Sequence, residues 1–342
     1  MALERDTGVL LINLGTPDSP TPAALRRYLR EFLGDPYVID LPAPARWLLL
    51  ELVILPRRPR TSARAYQQIW TPEGSPLRVH THALARALAT RLDGVPVEVG
   101  MRYGAPSLAS SLAALRARGA RRFVFLPLFP HSAAATTGSV RAELERLLTR
   151  REAARWVPCF YNEPSFLEAW RETVAPLLDD FEPDHVLASY HGLPERQLRR
   201  ADRDGDRGLA RANCCEAADA APSGCYRAQC YATTRGLQAS LGLDPARSST
   251  SFQSRLGRAP WIQPYTDDAL RELAERGVQR LAVLCPSFVT DCLETLEEIG
   301  IRAAAQWREL GGEELWLAPC PNSSDAMADA LVRLADGAVA FD

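Results

Sequence analysis

The sequence predicts an α/β protein built on parallel sheets, because short apolar strand patterns alternate with amphipathic helical patterns along most of its 342 residues. Strands that are separated by helices pair in parallel through right-handed crossovers. The strand candidates are numerous enough for two such sheets, and we place the division between them near 158–181. The length agrees with about two domains of ordinary size.

The first element is an apolar run at 9–13 that ends in Leu14-Gly15-Thr16-Pro17, and an amphipathic helix follows it at 24–32. Further strands are predicted at 95–99, 123–126, 156–160, 185–189, 249–252, 281–284 and 315–317. Helical patterns fill most of the intervals, at 108–118, 140–149, 166–178, 231–241, 268–276, 292–310 and 326–334.

Charge and motifs exclude several functions. Forty Lys and Arg against 42 Asp and Glu leave a net charge of −2, which predicts no strong attraction to nucleic acid. No Gly-x-Gly-x-x-Gly follows the first strand and no Gly-x-x-x-x-Gly-Lys-Ser/Thr occurs, so the usual nucleotide sites have no signature. The first residues lack the pattern of a signal peptide, which predicts a cytoplasmic protein.

The most apolar window is 47–55, which Glu51 interrupts. It is far shorter than the roughly 20 residues that span a bilayer. The interpretations that stay open are a helix half buried in the core, an apolar lip around a pocket, and a surface that touches lipid.

The strand at 185–189 runs into a polar turn that begins with His191 and Gly192. In an open α/β sheet, chemistry is concentrated at the carboxyl ends of strands. The chain has only five histidines, and an imidazole at such a position can accept a proton or bind a metal at neutral pH. The alternative is a histidine that only ends the strand.

A second polar segment follows the strand at 281–284. Asp291 is placed as a helix N-cap with Glu294 three residues later, which is the spacing of a capping box. Against that structural role, Glu294 and Glu298 share a helix face, and two neighbouring carboxylates suit a path for protons or a divalent cation. Glu297 is expected to point elsewhere and to be solvated.

The combination of these segments resembles the ferrochelatases, which insert ferrous iron into a porphyrin. The matching stretches, in the family's order, are LINLGTP (11–17), GSPL (74–77), LPLFPHS (126–132), TTGS (136–139), SYHGLP (189–194), SFQSR (251–255) and DCLETL (291–296).

The resemblance implies two similar doubly wound (Rossmann-like) lobes with a porphyrin held in the cleft between them. We expect an N-terminal lobe at 1–165 that carries the lip at 46–56. The C-terminal lobe is expected at 166–342, with the His/Glu site and a cysteine-rich insert at about 200–230.

It also implies roles for individual residues. His191 is expected to accept pyrrole protons, to hold the incoming metal, or both. Glu294 is expected to act as a metal ligand or to receive the protons that leave the site. Glu298 is expected to continue this path of carboxylates. Candidates for porphyrin contact are Leu11, Leu14, Tyr66, Ser75, Pro76, Arg102 and Tyr103, of which Ser75, Arg102 and Tyr103 are candidates for propionate or edge recognition. Each of these seven has an ordinary core or surface role as its alternative.

Four of the eight cysteines fall between 214 and 230. Three of them lie in a polar segment, at about 200–227, by which this chain is longer than short bacterial ferrochelatases, whereas Cys230 has a match in those relatives. In a cytosolic chain this density favours metal binding over disulfides. Some bacterial ferrochelatases bind a 2Fe–2S cluster through such an insert, which implies Cys214, Cys215, Cys225 and Cys230 as ligands. Zinc or redox-active thiols are the alternatives, and Cys159, Cys285 or Cys320 could replace one ligand.

The expected activity is therefore insertion of Fe²⁺ into protoporphyrin IX, the last step of haem synthesis, in a monomer or homodimer with transient membrane contact. Three alternatives stay open: a coproporphyrin ferrochelatase, another class II chelatase that puts cobalt or iron into a more reduced tetrapyrrole, and a non-catalytic iron–sulfur or haem sensor.

Overall fold

The computed structural model describes residues 4, 6–201, 209, 215, 224–257 and 259–341. They form two compact units. The first unit comprises the described residues up to Phe129, Ala133–Pro158 and those from Asn322 onward; the second comprises Pro130–Ser132 and Cys159–Pro321.

The sheet of the first unit has the strand order β2-β1-β3-β4-β9, in which only β9 is antiparallel to its neighbour. Its strands are β1 Thr7–Thr16, β2 Val97–Gly104, β3 Arg122–Pro127, β4 Ala153–Trp156 and β9 Val339–Ala340. Four consecutive residues of β1, from Val9 to Ile12, are fully buried. Burial on both faces is typical of a parallel strand that helices cover on each side.

The first unit has seven α-helices among its described residues. The α-helices are α1 Pro22–Gly34, α2 Ala43–Leu48, α3 Leu55–Ile69, α4 Pro76–Arg91, α5 Leu108–Ala117, α6 Ser139–Leu147 and α13 Asp325–Asp336. Two π-helical segments lie among them, at Leu49–Ile54 and Ala134–Gly138.

The sheet of the second unit is parallel throughout and has the order β6-β5-β7-β8. Its strands are β5 His185–His191, β6 Ser248–Gln253, β7 Arg280–Leu284 and β8 Glu314–Leu317. Its α-helices are α7 Pro164–Phe181, α8 Glu195–Ala201, α9 Tyr226–Leu241, α10 Thr266–Glu275, α11 Leu293–Leu296 and α12 Ala304–Glu309, with a 3₁₀ turn at Pro245–Arg247 and a π-helical segment at Glu298–Ala303.

The first four strands of each unit are arranged in the same way: the second strand, then the first, third and fourth. The predicted pair of similar parallel α/β lobes is therefore confirmed at the level of topology. In both sheets the order reverses between the first and third strands, which is where open α/β folds place their sites.

Several boundaries differ from the predicted ones. The strand predicted at 156–160 ends at Trp156, where Pro158 lacks the N–H that a continued ladder requires. The helix predicted at 292–310 is divided into α11, a π-helical segment and α12. The residues from Asn322 onward group with the first unit rather than with the sheet that precedes them, since β9 pairs with β4 and Arg91 of α4 forms an ion pair with Asp325 of α13.

Candidate active site at the carboxyl end of the second sheet

His191 is the last residue of β5, and its ring is fixed by a hydrogen bond to its own chain. The distance from His191 Nδ1 to the Gly192 carbonyl oxygen is 2.7 Å. Because a carbonyl can only accept, Nδ1 carries the proton and Nε2 presents a lone pair. A neutral imidazole in this tautomer can take up a proton or bind a metal through Nε2.

The turn after His191 requires glycine. The Gly192 N–H donates to the Gln253 carbonyl at 2.8 Å across the β5–β6 ladder. A Cβ at position 192 would lie 2.7 Å from that same carbonyl oxygen, closer than van der Waals contact allows. The glycine therefore lets the Gly192 carbonyl reach the imidazole while the two strands stay paired.

Gln253 connects His191 to α11, the short helix that carries Glu294. It is the register partner of His191 in β6, and its side-chain Nε2 donates to the Glu294 carbonyl at 2.7 Å. Its Oε1 accepts from the Ser189 hydroxyl at 2.8 Å. Sequence analysis did not single out this residue, although it lies within the matched stretch SFQSR, because the pairing of β5 with β6 is a long-range feature.

The start of α11 differs from the predicted capping box. Cys292 is the N-cap and Thr295 completes the box, while the Asp291 carboxylate accepts from the Thr295 hydroxyl at 2.9 Å. The predicted capping roles of Asp291 and Glu294 are therefore wrong. Glu294 is left with the Cys292 thiol beside its carboxylate, and the pKa of that thiol is raised first by burial and then by this negative charge.

Glu298 opens the π-helical segment and its carboxylate is held on two sides. The Ser254 backbone N–H donates to Oε1 at 2.8 Å, and the Ser254 hydroxyl donates to Oε2 at 2.6 Å. Ser254 adopts a left-handed conformation, with φ of 65°, to make both bonds. A cavity of about 150 Å³ adjoins Glu298, Ser254 and Arg302.

Glu297 does not face solvent as predicted. It is 7 % exposed, and both of its carboxylate oxygens lie 3.1 Å from Arg302 Nε. The π-helical geometry after Glu297 turns this carboxylate toward Arg302. Glu294, Glu297 and Glu298 therefore have three different environments within five residues of chain.

The cysteine-rich insert is described only in part, and Cys214 lies outside the described residues. Cys215 Sγ lies 3.9 Å from Cys225 Sγ. The hydrogen bond from the Cys215 thiol lowers the pKa of Cys225 to about 6, against the effect of burial. Burial raises the pKa of Cys230 well above its usual value. Among the described residues, no group of three or more His, Cys, Asp or Glu could hold a metal.

The other cysteines predicted as substitutes have core environments. Cys285 and Cys320 are fully buried, and burial raises the pKa of both. Cys159 is partly buried, and burial raises its pKa as well. Surroundings of this kind are typical of cysteines that pack as small apolar side chains in a core.

In the first unit, Arg102 and Tyr103 belong to a buried polar cluster around Asp35. The Asp35 Oδ2 accepts from Arg102 Nη2 at 2.6 Å, from the Tyr103 hydroxyl at 2.9 Å and from the Ser139 hydroxyl at 2.6 Å. Arg102 Nε also donates to the Ser139 hydroxyl at 2.7 Å. Sequence reasoning did not find Asp35 and Ser139 because they lie far from Arg102 along the chain.

The remaining predicted pocket residues lie mostly in the interior of the first unit. Leu11 is fully buried in the centre of β1. Ser75 is 1 % exposed and accepts from the Thr16 hydroxyl at 2.7 Å. Leu14 is partly buried against the core, Pro76 begins α4 and is buried, and Tyr66 is buried in α3. Contact of these residues with a porphyrin stays a prediction.

The lip segment is apolar and exposed. Trp47 is 58 % exposed and Leu52 is 62 % exposed, with Leu48 and Val53 exposed beside them. Leu50 of the same π-helical segment is buried. No described helix combines the length and the apolar character needed to cross a bilayer.

The family model and the similar proteins of known name indicate the same family. A family model described as Ferrochelatase matches residues 6–338. The chain is 49 % identical over 333 residues to a ferrochelatase of Azotobacter vinelandii, covering 96 % of this chain and 98 % of that protein. It is 46 % identical over 332 residues to a ferrochelatase of Coxiella burnetii, covering 96 % of this chain and 92 % of that protein.

Solved structures agree on the fold. SirB from Bacillus subtilis with Fe³⁺ superposes with a TM-score of 0.55 at 13 % identity, covering 98 % of this chain and all of that one. CbiX, the terminal enzyme for biosynthesis of sirohaem in denitrifying bacteria, superposes with a TM-score of 0.50 at 15 % identity, covering 96 % of this chain and 98 % of that one.

Proposed function

The chain belongs to the ferrochelatase family, and we propose that it inserts ferrous iron into protoporphyrin IX with release of two protons, the last step of haem synthesis. The observation that carries the proposal is the fixed tautomer of His191. Its Nε2 lone pair lies at the carboxyl end of β5, and the carboxylate helix that carries Glu294 is joined to the neighbouring strand through Gln253.

Metal insertion first requires a base that removes the pyrrole protons. A free-base porphyrin holds two pyrrole N–H protons, and both leave before a divalent metal occupies the four nitrogens. His191 Nε2 accepts a pyrrole proton, and the bond from Nδ1 to the Gly192 carbonyl keeps the imidazole oriented as its charge changes. Neutral imidazole can accept a proton or bind iron, but it cannot do both at one instant.

Glu294 and Glu298 have separate roles in the proposed reaction. Glu294 has no capping role, so its carboxylate serves as a metal ligand or receives the proton that leaves His191. Glu298 is held by Ser254 at the start of the π-helical segment and extends the path of carboxylates that begins at Glu294. Carboxylate and imidazole are hard or borderline ligands, so Zn²⁺ and Co²⁺ should also be inserted.

The test is an anaerobic assay with protoporphyrin IX and Fe²⁺ that follows the loss of porphyrin fluorescence. Glu294→Gln should lower kcat about 10²- to 10⁴-fold, as expected for loss of a proton-transfer group. Glu297→Gln is the matched control, because Glu297 directly follows α11 and its carboxylate pairs with Arg302, and this variant should keep its turnover. Equal losses in both variants would contradict the role of Glu294.

The substrate is tested in the same assay with coproporphyrin III in place of protoporphyrin IX. A higher kcat/KM for protoporphyrin supports the proposed substrate. A clear preference for coproporphyrin would replace the substrate while keeping the site, and no turnover of either porphyrin would contradict the enzyme assignment.

We further propose a 2Fe–2S cluster held by Cys214, Cys215, Cys225 and Cys230. Two thiolates on one tetrahedral metal, each about 2.3 Å from it, lie about 3.8 Å apart, and the 3.9 Å between Cys215 Sγ and Cys225 Sγ suits such a pair. The cluster would fix the start of α9 and take no part in metal insertion, which involves no net redox change.

The cluster is tested by visible absorption and electron paramagnetic resonance of anaerobically purified protein, with iron, sulfide and zinc analysis. Cys215→Ser and Cys225→Ser should lose the cluster signals, whereas Cys159→Ser should keep them. One zinc per chain with no sulfide would contradict the cluster and favour a zinc site.

Transient contact of the lip with a membrane completes the proposal, together with a cytoplasmic location. The exposed Trp47 and Leu52 lie close in sequence to Arg57 and Arg60 of α3, which are also exposed. Apolar side chains beside arginines are typical of surfaces that bind anionic lipid.

Sedimentation with vesicles tests this contact. Binding should require phosphatidylglycerol in the vesicles and should fall in the double variant Trp47→Ser, Leu52→Ser. Leu256→Ser removes a comparably exposed leucine in the second unit and should bind as wild type does. Equal binding by all three proteins would contradict the assignment of the lip.

A further inference from the structure

His191 is held by side chains as well as by the sheet. Its backbone N–H donates to the Ser287 hydroxyl at 3.2 Å, and its carbonyl accepts from the Tyr226 hydroxyl at 2.7 Å. Tyr226 Oη and Ser287 Oγ are themselves 3.2 Å apart. Since the Tyr226 proton goes to the His191 carbonyl, the Ser287 hydroxyl donates to Tyr226, and the three groups form a closed set.

Tyr226 is itself rigidly placed. It is the first residue of α9 and is 6 % exposed. Its ring packs edge-on against His131, with centroids 5.8 Å apart, and Cys230, one turn later in α9, is fully buried. A hydroxyl on a ring that is packed in this way defines the position of the carbonyl that it binds.

We propose that Tyr226 is a positioning residue for metal insertion: with Ser287 it fixes the backbone of His191, and thereby the direction in which His191 Nε2 points. The inference deepens the proposed function and rests on it, since it concerns the same histidine. The Gly192 carbonyl that orients the imidazole lies in the peptide unit after the His191 carbonyl. Rotation of that segment would therefore move the imidazole and its hydrogen-bond acceptor together.

Kinetics provide the first readout. Tyr226→Phe keeps the ring and removes only the hydroxyl, and kcat should fall about 10- to 100-fold, because a misplacement of about 1 Å can cost about 10²-fold in rate. KM for the porphyrin should stay unchanged. Ser287→Ala should act in the same direction, and the double variant should lose less than the product of the single effects, because both residues hold one backbone segment.

The first unit offers a matched control. The Tyr28 hydroxyl donates to the Gly15 carbonyl at 3.1 Å, which is the same kind of bond near the carboxyl end of β1, and neither residue contributes to the hydrogen bonds that hold His191. Tyr28→Phe should leave kcat and KM as in wild type. An equal loss in kcat for Tyr28→Phe and Tyr226→Phe would contradict a specific role of Tyr226.

A spectroscopic readout separates this inference from the proposed function. In protein labelled with ¹⁵N-histidine, the His191 signals are identified by their loss in His191→Asn. They should show Nδ1 protonated and Nε2 unprotonated in wild type, and a mixture or broadening in Tyr226→Phe. Unchanged nitrogen shifts and unchanged kcat would overturn the proposal. If the wild-type protein converts no porphyrin, the proposed function is contradicted. The ¹⁵N shifts of His191 in wild type and in Tyr226→Phe then test by themselves whether Tyr226 positions the histidine.

Discussion

The two units share one strand order, yet the polar side chains near the carboxyl ends of their sheets behave differently. In the first unit, Asp35 is surrounded by donors from Arg102, Tyr103 and Ser139, and its cluster is internally satisfied. In the second unit, His191 uses only Nδ1 and presents Nε2. The two groups differ in their hydrogen-bond partners: the bonds to Asp35 close its cluster internally, whereas Nε2 of His191 is left for the proposed chemistry.

The largest expected effect is a loss of stability when a substitution at Asp35 disrupts the cluster of the first unit. Asp35→Asn leaves Arg102 without its carboxylate, and uncompensated buried charge should lower the free energy of unfolding by about 3 kcal/mol. The value of kcat should stay near that of wild type in the folded protein. Urea denaturation and the insertion assay measure the two quantities.

The control for that variant is Asp18→Asn. Asp18 pairs with Arg27 at 3.3 Å, with both side chains more than half exposed, and an exposed pair contributes less than about 1 kcal/mol. If Asp35→Asn kept its stability and lost porphyrin binding instead, the cluster would be a substrate site and the contrast between the units would fail.

The next effect concerns the turn that orients His191. Gly192→Ala places a Cβ 2.7 Å from the Gln253 carbonyl, so the turn must shift and kcat should fall about 10²-fold. Gly224→Ala is the control, because a Cβ there meets nothing within 4 Å. Comparable turnover in both variants would show that the Gly192 turn does not set the geometry of the site.

The smallest expected effect is a pH-dependent loss of stability that comes from His131, a buried histidine of the same unit as His191. Burial lowers the pKa of His131 to about 3, and its Nε2 pairs with the Thr233 hydroxyl at 2.9 Å. The unfolded chain binds a proton near pH 6.5, whereas the folded chain does not, so the stability is complete above pH 6.5 and is lost as the pH falls.

Between pH 6.5 and 5 this loss should be about 2 kcal/mol, at about 1.4 kcal/mol per pH unit. His131→Gln cannot titrate and should show a correspondingly smaller slope in urea denaturation. An identical slope in the variant would mean that His131 is protonated in the folded protein.

The sequence predicted the parallel α/β fold and the location of His191, because apolar strands followed by polar turns are local patterns. It also placed Glu294 on a helix after β7. It could not predict Tyr226, Ser287 or Gln253 as partners, since they meet His191 only when separate strands and helices are packed. No simple signal in the residues indicates Cys292 rather than Asp291 as the N-cap of α11. The same holds for the π-helical segment that follows Glu297, whose carboxylate pairs with Arg302.

A comparison of His191→Ala with Arg102→Ala separates a reactive residue in the second unit from a structural residue in the Asp35 cluster. Insertion rate and free energy of unfolding are measured for both. We expect His191→Ala to lose about 10²- to 10⁴-fold in rate at nearly unchanged stability, and Arg102→Ala to lose about 3 kcal/mol of stability at nearly unchanged kcat and KM. Retained rate in His191→Ala, or a raised porphyrin KM without loss of stability in Arg102→Ala, would contradict the account.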